Sequence, residues 1–456
     1  MFDLLSSLAS TTSQAGEFSW GRAWLPLAIF VVVYVLLATE VVEKSVAALM
    51  GATSIIMFTD LQWEDAVSHV DLNVLFLLIG MMTCVAILSE TGFFECVAIW
   101  IAKAMKGNAV WILVMMLVLT MVFSALLDNV TTIILLAPVT ILITQLLEIP
   151  SVPFLIMEAL ASNIGGTATL IGDPPNILIG SKADLSFNHF LVHLSPVVVV
   201  IGLVFIGLAV LVMRKHLKVP NHIKMRVVNS YPSEAIIDRR KMFKSLAVFG
   251  LIFVGFFIHH SFHIQPGVIA LAGMVVMVIA CQSETEEMLK IVEWDAILFF
   301  IGLFIIIGSL QHCGVINLLA EGMITFCGDN RLLTCIVIIW GSAFFSAILD
   351  NIPFVMAMTP LVQKLIVEQN WFVDGMTPVT DAAAVTGSHP LFWALALGAC
   401  LGGNGTLIGA SANIVAAKVG ERNGCPISFL GFMRYGVVVT LVTVVIASVY
   451  MWLRYF

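Results

Sequence analysis

Two aspartates lie inside long apolar stretches of this chain, and each is followed by an asparagine. Asp128 and Asn129 belong to the segment FSALLDNVTT, and Asp350 and Asn351 belong to FSAILDNIPF. An apolar environment favours the neutral form of a carboxyl group, and ionisable residues in membrane segments usually mark ion or proton pathways. An aspartate also caps a helix that begins after it, which is compatible with proton binding. We therefore interpret Asp128 and Asp350 as proton-coupling residues.

A second pair of similar segments, GGTATLIGDPPN at 165–176 and GGNGTLIGASAN at 402–413, interrupts two other apolar stretches. Glycine permits non-helical turns and proline blocks helix continuation, so each segment predicts a break in a membrane helix. Lipid cannot satisfy the freed backbone groups, so such breaks are typical of helices that line a cavity and bind a ligand. Close packing of helices on small residues is the alternative explanation.

Both pairs of segments supply candidate site residues around the two aspartates. The predicted substrate- or ion-binding residues are Asn129, Thr131, Gly165, Gly166, Thr167, Thr169, Asn351, Gly402, Gly403, Asn404, Gly405 and Thr406. The candidate gating residues are Asp173, Asn176 and Asn413. The eight cysteines are scattered without metal spacing, and His259, His260 and His263 are interpreted as residues at a membrane edge. We therefore predict no metal site and no cofactor other than protons, with sodium as an alternative coupling ion.

Membrane helices are the elements that must position these residues. The chain of 456 residues is 60% hydrophobic and only 11% charged, and its mean hydropathy is +1.05. Apolar runs of about 18 residues recur, and each is long enough to cross a bilayer. No signal peptide, nucleic-acid-binding patch or nucleophile–base pair is recognisable. The composition predicts an all-α polytopic membrane protein that acts on a small solute and is not an enzyme.

The chain also carries an internal duplication. Residue i matches residue i+222 from Val46 and Val268 through Gly80 and Gly302 to Asp128 and Asp350, and the glycine-rich segments match with an offset of 237. We predict a first repeat at 1–213 and a second repeat at 244–456, joined by a basic linker at 214–243. The predicted hairpins are about 109–147 and 332–367, and the predicted broken helices are about 153–176 and 389–413.

The linker fixes the predicted orientation. Residues 214–244 contain nine of the 21 lysines and arginines of the chain, so the positive-inside rule places the linker in the cytoplasm. If 109–147 is a hairpin, each repeat has five crossings, and the odd number gives the repeats opposite orientations. Two full crossings in place of each hairpin would give the same parity. Both chain termini are predicted to lie outside, and the protein is predicted in the inner (cytoplasmic) membrane.

The segments FSALLDNVTTIILLAPVT and NIGGTATLIGDPPNILIGS resemble the ArsB/P-protein branch of the ion transporter superfamily. That branch contains arsenite efflux pumps, the P protein and NhaD-type antiporters, with dicarboxylate carriers as wider relatives. The resemblance implies two inverted repeats, each with transmembrane helices, a re-entrant helical hairpin and a discontinuous helix. It also implies a homodimer that moves its substrate by an elevator-like shift and, for some ArsB relatives, a cytoplasmic ATPase partner.

The hairpin tips indicate the substrate class. Dicarboxylate relatives have Ser-Asn-Thr at the tips, whereas this chain has Asp-Asn in both copies. Two carboxylates in a low dielectric repel a dicarboxylate but suit a proton, a cation or a neutral polyhydroxy solute. The predicted function is export of arsenite or antimonite in exchange for protons. A sodium/proton antiporter and a P-protein-like anion transporter or channel are the alternatives.

Overall fold

The fold is all-helical, in agreement with the sequence prediction. The computed structural model describes residues 20–39, 41–215, 217, 219–228, 231–283, 290, 292–373, 376 and 378–456. These residues form no strand. The helices of the first half and the linker are α1 (Trp20–Thr39), α2 (Lys44–Phe58), α3 (Trp63–Ser68), α4 (Leu72–Ser89), α5 (Phe93–Ala104), α6 (Ala109–Leu126), α7 (Asn129–Leu146), α8 (Ser151–Gly166), α9 (Pro174–Lys182), α10 (Phe187–His193), α11 (Ser195–Met213) and α12 (Asn221–Val228). The helices of the second half are α13 (Arg239–Ile258), α14 (Pro266–Cys281), α15 (Trp294–His312), α16 (Val315–Cys327), α17 (Arg331–Ile348), α18 (Asn351–Glu368), α19 (Pro390–Gly402), α20 (Ser411–Arg422) and α21 (Phe429–Tyr455).

Length and composition mark many of these helices as membrane helices. Within the described residues, eight are at least 18 residues long and apolar enough to cross a bilayer. Shorter apolar helices, among them α2, α14 and α19, pack beside them. The chain is therefore a multi-pass membrane protein, as the composition predicts. The N-terminal residues predicted to lie outside belong to segment 1–19, which falls outside the described residues.

Glycines bring the helices of the two halves together in a symmetric way. A Cβ on Gly80 of α4 would lie 2.5 Å from the carbonyl carbon of Ala270 in α14. A Cβ on Gly302 of α15 would lie 2.6 Å from the same atom of Ala48 in α2. Gly80 and Gly302 are 222 residues apart, and so are Ala48 and Ala270. Each half therefore contributes a glycine to one helix pair and an alanine to the other, as expected for a duplicated pair of helices.

One helical hairpin and one broken helix follow in each half. Helices α6 and α7 turn at Asp128, and α17 and α18 turn at Asp350. Helices α8 and α9 are separated by residues 167–173, and α19 and α20 by residues 403–410. The breaks thus begin one or two residues after the first glycine of each pair, since Gly165, Gly166 and Gly402 still belong to helices. These glycines permit close approach of the neighbouring helix, while the following residues form the non-helical segment.

The linker lies on one face of the molecule, which we call the linker face. The linker contains α12. It ends where α13 begins at Arg239, whereas the sequence predicts a linker that extends to residue 243. Gly92 and Gly107, which flank the amphipathic helix α5, have positive φ angles. A Cβ added to Gly92 would lie 1.7 Å from the carbonyl oxygen of Ala235, and a Cβ added to Gly107 would lie 2.7 Å from the carbonyl oxygen of Lys224. Both ends of α5 therefore rest on the linker, and the base of the first hairpin lies on this face.

The second hairpin enters from the opposite face. The Arg331 guanidinium lies over the Trp371 ring at the base of this hairpin, and Trp371 also contacts Phe456 at the chain end. Near that end, the Tyr455 hydroxyl is 2.5 Å from Nδ1 of His193. The tips of both hairpins nevertheless reach the same buried carboxyl group. The two hairpins therefore approach one centre from opposite faces.

Candidate functional site

Asp173 is the carboxyl group on which the two hairpin tips converge. Its side chain is fully buried. The amide nitrogen Nδ2 of Asn129, at the first tip, donates to Oδ1 of Asp173 at 3.2 Å. Nδ2 of Asn351, at the second tip, lies 3.3 Å and 3.5 Å from the two oxygens. One carboxyl group therefore joins the two pseudosymmetric halves of the molecule.

The first helix break holds Asp173 in this position. Pro174 and Pro175 begin α9, where the missing N–H groups cost no helical hydrogen bond. Asp173 precedes them in an extended conformation and makes no side-chain hydrogen bond to cap the helix. The Thr169 hydroxyl donates to the Ala125 carbonyl at 2.5 Å and accepts from the Gly172 amide at 3.1 Å. The break is thus tied to the hairpin, and the Asp173 carboxyl group stays available for other partners.

Asn163 connects the site to the second broken helix. Its Nδ2 donates to Oδ1 of Asn404 and to Oδ1 of Asn413, each at 2.9 Å. Its own Oδ1 accepts from Asn129 at 3.1 Å. Asn176 and Asn413 turn their amides back onto the carbonyls of their own breaks, for example the Thr169 carbonyl at 2.8 Å. Asn163 is not among the residues predicted from the sequence, although it lies only two residues before the paired glycines.

The two hairpin aspartates have partners of their own. Asp128 caps α7: Oδ1 accepts from the Thr131 amide at 2.7 Å, and Oδ2 from the Thr131 hydroxyl at 2.6 Å. Asp350 caps α18 through the Ile352 amide at 3.2 Å. Its Oδ2 also accepts from Lys44 at 2.5 Å and from the Ser411 hydroxyl at 3.2 Å. Both aspartates therefore have the cap role considered above, and Lys44 adds an ion pair from a different helix.

A cavity of about 780 Å³ leads from the linker face to this centre. Asp128, Asn129, Asp173 and Asn351 line its inner end. The charged residues on its lining are Glu43, Lys44, Asp128, Asp173, Glu293, Asp295 and Lys418. Five carboxyl groups thus face two lysines. The pKa of Glu293 at the cavity mouth is raised to about 7. Burial is the larger cause, and the neighbouring carboxylates of Asp128 and Asp295 add to it.

The other predicted residues surround the site as supports. The hydroxyls of Thr169 and Thr406 each donate to a hairpin carbonyl, those of Ala125 and Ala347, at 2.5 Å. The Thr167 hydroxyl donates to the carbonyl of Asn163 at 2.8 Å within its own helix. The paired glycines permit backbone contact: added Cβ atoms would meet neighbouring backbone or Cβ atoms at Gly165, Gly166, Gly402, Gly403 and Gly405. The sequence thus identified the segments that meet. Lys44 and Glu293 were missed because they lie in other parts of the chain, and Ser411 was not recognised within the segment 402–413.

A family described as citrate transporter matches residues 34–385 of the chain, which is 352 of its 456 residues. The chain belongs to this family. It is 43% identical over 432 residues to an uncharacterized transporter of Mycobacterium bovis, covering 94% of this chain and 97% of that protein. It is 32% identical over 508 residues to the P protein of Mus musculus, covering 93% of this chain and 59% of that protein.

The fold has a solved counterpart. The YdaH transporter of Alcanivorax borkumensis matches with a TM-score of 0.57 at 12% identity, covering 95% of this chain and 99% of that structure. At that identity the match shows the fold alone. Together with the family and the relatives, it confirms that this family member is a multi-pass membrane transporter and not an enzyme. The similarity to the P protein agrees with the sequence resemblance, while assignment to an ArsB-like branch stays a prediction.

Proposed function

We propose that this family member is a proton-coupled secondary transporter that exports a small neutral hydroxide, arsenite or antimonite, in exchange for protons. Asp173 is the principal proton-carrying group in this proposal, and the hairpin-tip amides of Asn129 and Asn351 orient it. The single observation that carries the proposal is the buried Asp173 carboxyl group at the inner end of an open cavity, held by two amides and, among the described residues, by no cation. An intramembrane carboxyl group in such a setting is typical of proton-coupled carriers.

The charge of the cavity bears on the substrate class. Citrate carries several carboxylates, and the lining presents five carboxyl groups against Lys44 and Lys418, so ionisation of any three of the five leaves an excess of negative charge that repels citrate. A neutral trihydroxide escapes this repulsion, because its hydroxyls can donate hydrogen bonds to the oxygens of Asp173 and Asn129. The same charge argues against the anion transporter or channel alternative. We infer that the family name does not describe the substrate of this member.

A sodium/proton antiporter is the second candidate, and one atom favours it. Asn129 is buried, and its Oδ1 has no hydrogen-bond partner in the described part of the chain. Carbonyl and carboxylate oxygens are the ligands that hard cations prefer. Oδ1 of Asn129 and the carboxyl group of Asp173 would supply two such ligands. Both candidates share one coupling group, so they differ in the solute rather than in the mechanism.

Orientation and exchange follow from the same arrangement. We infer that the linker face is cytoplasmic, by the positive charge of the linker. The cavity then opens inward, and the Lys44–Asp350 ion pair joins α2 to the tip of the second hairpin in this state. Export requires the hairpins and broken helices to move Asp173 toward the other side. Loss of a proton to the cytoplasm and gain of one outside completes a balanced exchange.

Inside-out vesicles with an acidic lumen test the proposal. We expect wild-type vesicles to accumulate arsenite in preference to sodium and citrate. Asp173→Asn should lose proton-driven accumulation while retaining equilibrium exchange, because the amide cannot ionise. Asp128→Asn is the matched control, since asparagine caps a helix about as well as aspartate; it should keep coupling. Sodium accumulation would select the second candidate. Citrate accumulation, or full coupling in Asp173→Asn, would refute the charge argument or the assignment of Asp173.

A further inference from the structure

Glu158 is a second buried carboxyl group, and it lies apart from the substrate cavity. It sits in the middle of α8 and is 2% exposed. Its Oε1 accepts from the Thr140 hydroxyl at 2.9 Å and from the Thr120 hydroxyl at 3.4 Å. In the described part of the chain, its Oε2 has no hydrogen-bond partner. Buried polar atoms without a partner are rare and call for an explanation.

In the part of the chain that the structure describes, no counter-charge stabilises Glu158. It is the only ionisable residue of α6, α7, α8 and α11. The other helices packed on α8 are α19, α20 and α21, and their ionisable residues are Cys400, Lys418, Glu421, Arg422, Arg434, Tyr435, Tyr450, Arg454 and Tyr455. None of these groups interacts electrostatically with Glu158. An unpaired charge buried among apolar helices is very costly, so the resting form of this carboxyl group is the neutral acid.

Hydroxyl groups continue from Glu158 in both directions along the first hairpin. Toward the linker face, Thr140 is followed one turn later by Thr144, whose hydroxyl is 2.7 Å from that of Ser151. Toward the tip, Thr120 is followed one turn later by Ser124, which is 3.4 Å from Ser162. We call these six residues the hydroxyl row.

The hydroxyl row ends at the substrate site. The Ser162 hydroxyl donates to the carbonyl of Asn129 at 2.8 Å, and Asn129 donates to Asp173. Successive turns of a helix place side chains about 5–6 Å apart, so a proton path along the row needs one water molecule between Thr140 and Thr144 and one between Thr120 and Ser124. The row therefore joins the hairpin base on the linker face to the tip without passing through the cavity.

The second repeat keeps hydroxyls at the positions of Thr120 and Ser124, which are Ser342 and Ser346, but it lacks the carboxyl group although it has the same fold. With the offsets of 237 and 222, Glu158 corresponds to Leu395 and Ser162 to Ala399, while Thr140 corresponds to Val362. The Leu395 side chain is fully buried against the second hairpin. The hairpin and the broken helix therefore pack stably with leucine at this position. The carboxyl group of the first repeat is not a requirement of the fold, so its retention points to another purpose.

We propose that Glu158 is a second proton-binding site of this transporter, loaded from the linker face through the hydroxyl row. The proton resides on Oε2 and exchanges with water at the hairpin base, while no other bond forms or breaks. Glu158 then supplies a proton to the cycle in addition to the one that Asp173 carries. This inference rests on the proposed proton coupling but not on the identity of the solute.

Infrared difference spectroscopy tests protonation without any substrate. Wild-type protein in lipid should show the C=O stretching band of a protonated carboxyl group that loses intensity reversibly as the pH is raised. Glu158→Leu, which copies the second repeat, and the isosteric Glu158→Gln should both lack this band, while Glu158→Asp should retain a shifted one. A Glu158 band that does not change over the whole pH range in which the protein stays folded would overturn the proposal.

The proton-to-solute ratio tests its part in coupling. It is measured in vesicles as the solute gradient that balances an imposed pH gradient, with whichever solute the wild type accumulates. Glu158→Leu and Glu158→Gln should transport with one proton fewer per cycle, and Glu158→Asp should restore the wild-type ratio. An unchanged ratio in both neutral variants would overturn the proposal. The infrared titration needs no solute. A failure to transport arsenite would therefore refute the proposed function without changing what the infrared titration shows about Glu158.

Discussion

Gly165→Ala tests whether backbone contact between α8 and the first hairpin maintains the site. A Cβ on Gly165 would lie 2.3 Å from the Met121 carbonyl oxygen and 2.4 Å from Met121 Cα. Ordinary van der Waals contact begins at 3.4 Å. Both obstructing atoms belong to the backbone of α6, so no side-chain rotation relieves the clash. The two helices must therefore separate by about 1.0 Å (3.4 − 2.4).

This separation has a calculable effect on the hydrogen bonds between the two helices. The Ser124 hydroxyl donates to the Ser162 carbonyl at 2.6 Å. An added 1.0 Å lengthens that bond to about 3.6 Å, which is beyond hydrogen-bonding distance. Overpacking costs about 1–3 kcal/mol and a lost buried hydrogen bond about 1 kcal/mol more. We expect Gly165→Ala to destabilise the protein by about 2–4 kcal/mol and to reduce transport, because Asn129 shifts with Ser162.

Thermal unfolding in detergent, together with the vesicle assay, measures both effects. Gly207→Ala is the matched control, since Gly207 of α11 has no atom within 4 Å of an added Cβ. Alanine stabilises an open helical position by about 0.5–1 kcal/mol relative to glycine, so the two variants should shift the unfolding temperature in opposite directions. Equal unfolding temperatures and wild-type transport in Gly165→Ala would show that the close approach at Met121 is not needed for the site.

Two further predictions concern the ends of the helices. Lys44→Met removes the cation from Asp350, whose side chain is only 6% exposed. The substitution should therefore disfavour the inward-open state by about 1–3 kcal/mol. Labelling of a cysteine introduced at Val415 from the linker face should slow about tenfold, and an unchanged labelling rate would contradict this prediction. Burial, outweighing the hydrogen bond to the Trp371 carbonyl, lowers the pKa of His389 from 6.5 to about 3. The unfolded state therefore binds the extra proton first, and stability should fall by up to about 1.4 kcal/mol per pH unit between pH 6.5 and 3. Unfolding curves should lose part of this acid sensitivity in His389→Asn; identical pH dependence in both proteins would refute the assignment.

Repeated segments allowed much of the fold to be predicted from the sequence. The hairpins predicted at about 109–147 and 332–367 correspond to helices at 109–146 and 331–368, because Asp-Asn after an apolar run gives a strong helix start. The breaks were placed at their first glycines, whereas the helices continue to Gly166 and Gly402. Glycine in these positions permits contact between helices. The helix ends only where threonine and asparagine side chains bond the backbone instead.

The centre of the site was harder to predict. The sequence predicts only a gating role for Asp173, since its counterpart is Ala410 and the aspartates that occur in both repeats are Asp128 and Asp350. Asp173 is important because Asn129 and Asn351, which are 222 residues apart in the sequence, both contact its carboxyl group. A single sequence does not show this contact. Lys44 is a similar case, since its partner Asp350 lies 306 residues away.

Comparison of the two repeats separates framework from chemistry. The Thr169–Ala125 and Thr406–Ala347 hydrogen bonds are equivalent and have the same length of 2.5 Å. Both hairpin aspartates also cap the helix that follows them. By contrast, Asp173, Glu158 and Asn163 correspond to Ala410, Leu395 and Cys400. A symmetric fold needs its supports twice, whereas a group that binds a single proton or solute is needed only once. Buried polar groups without a counterpart are therefore the ones whose cost the fold does not explain, and for that reason we assign proton binding to Asp173 and Glu158.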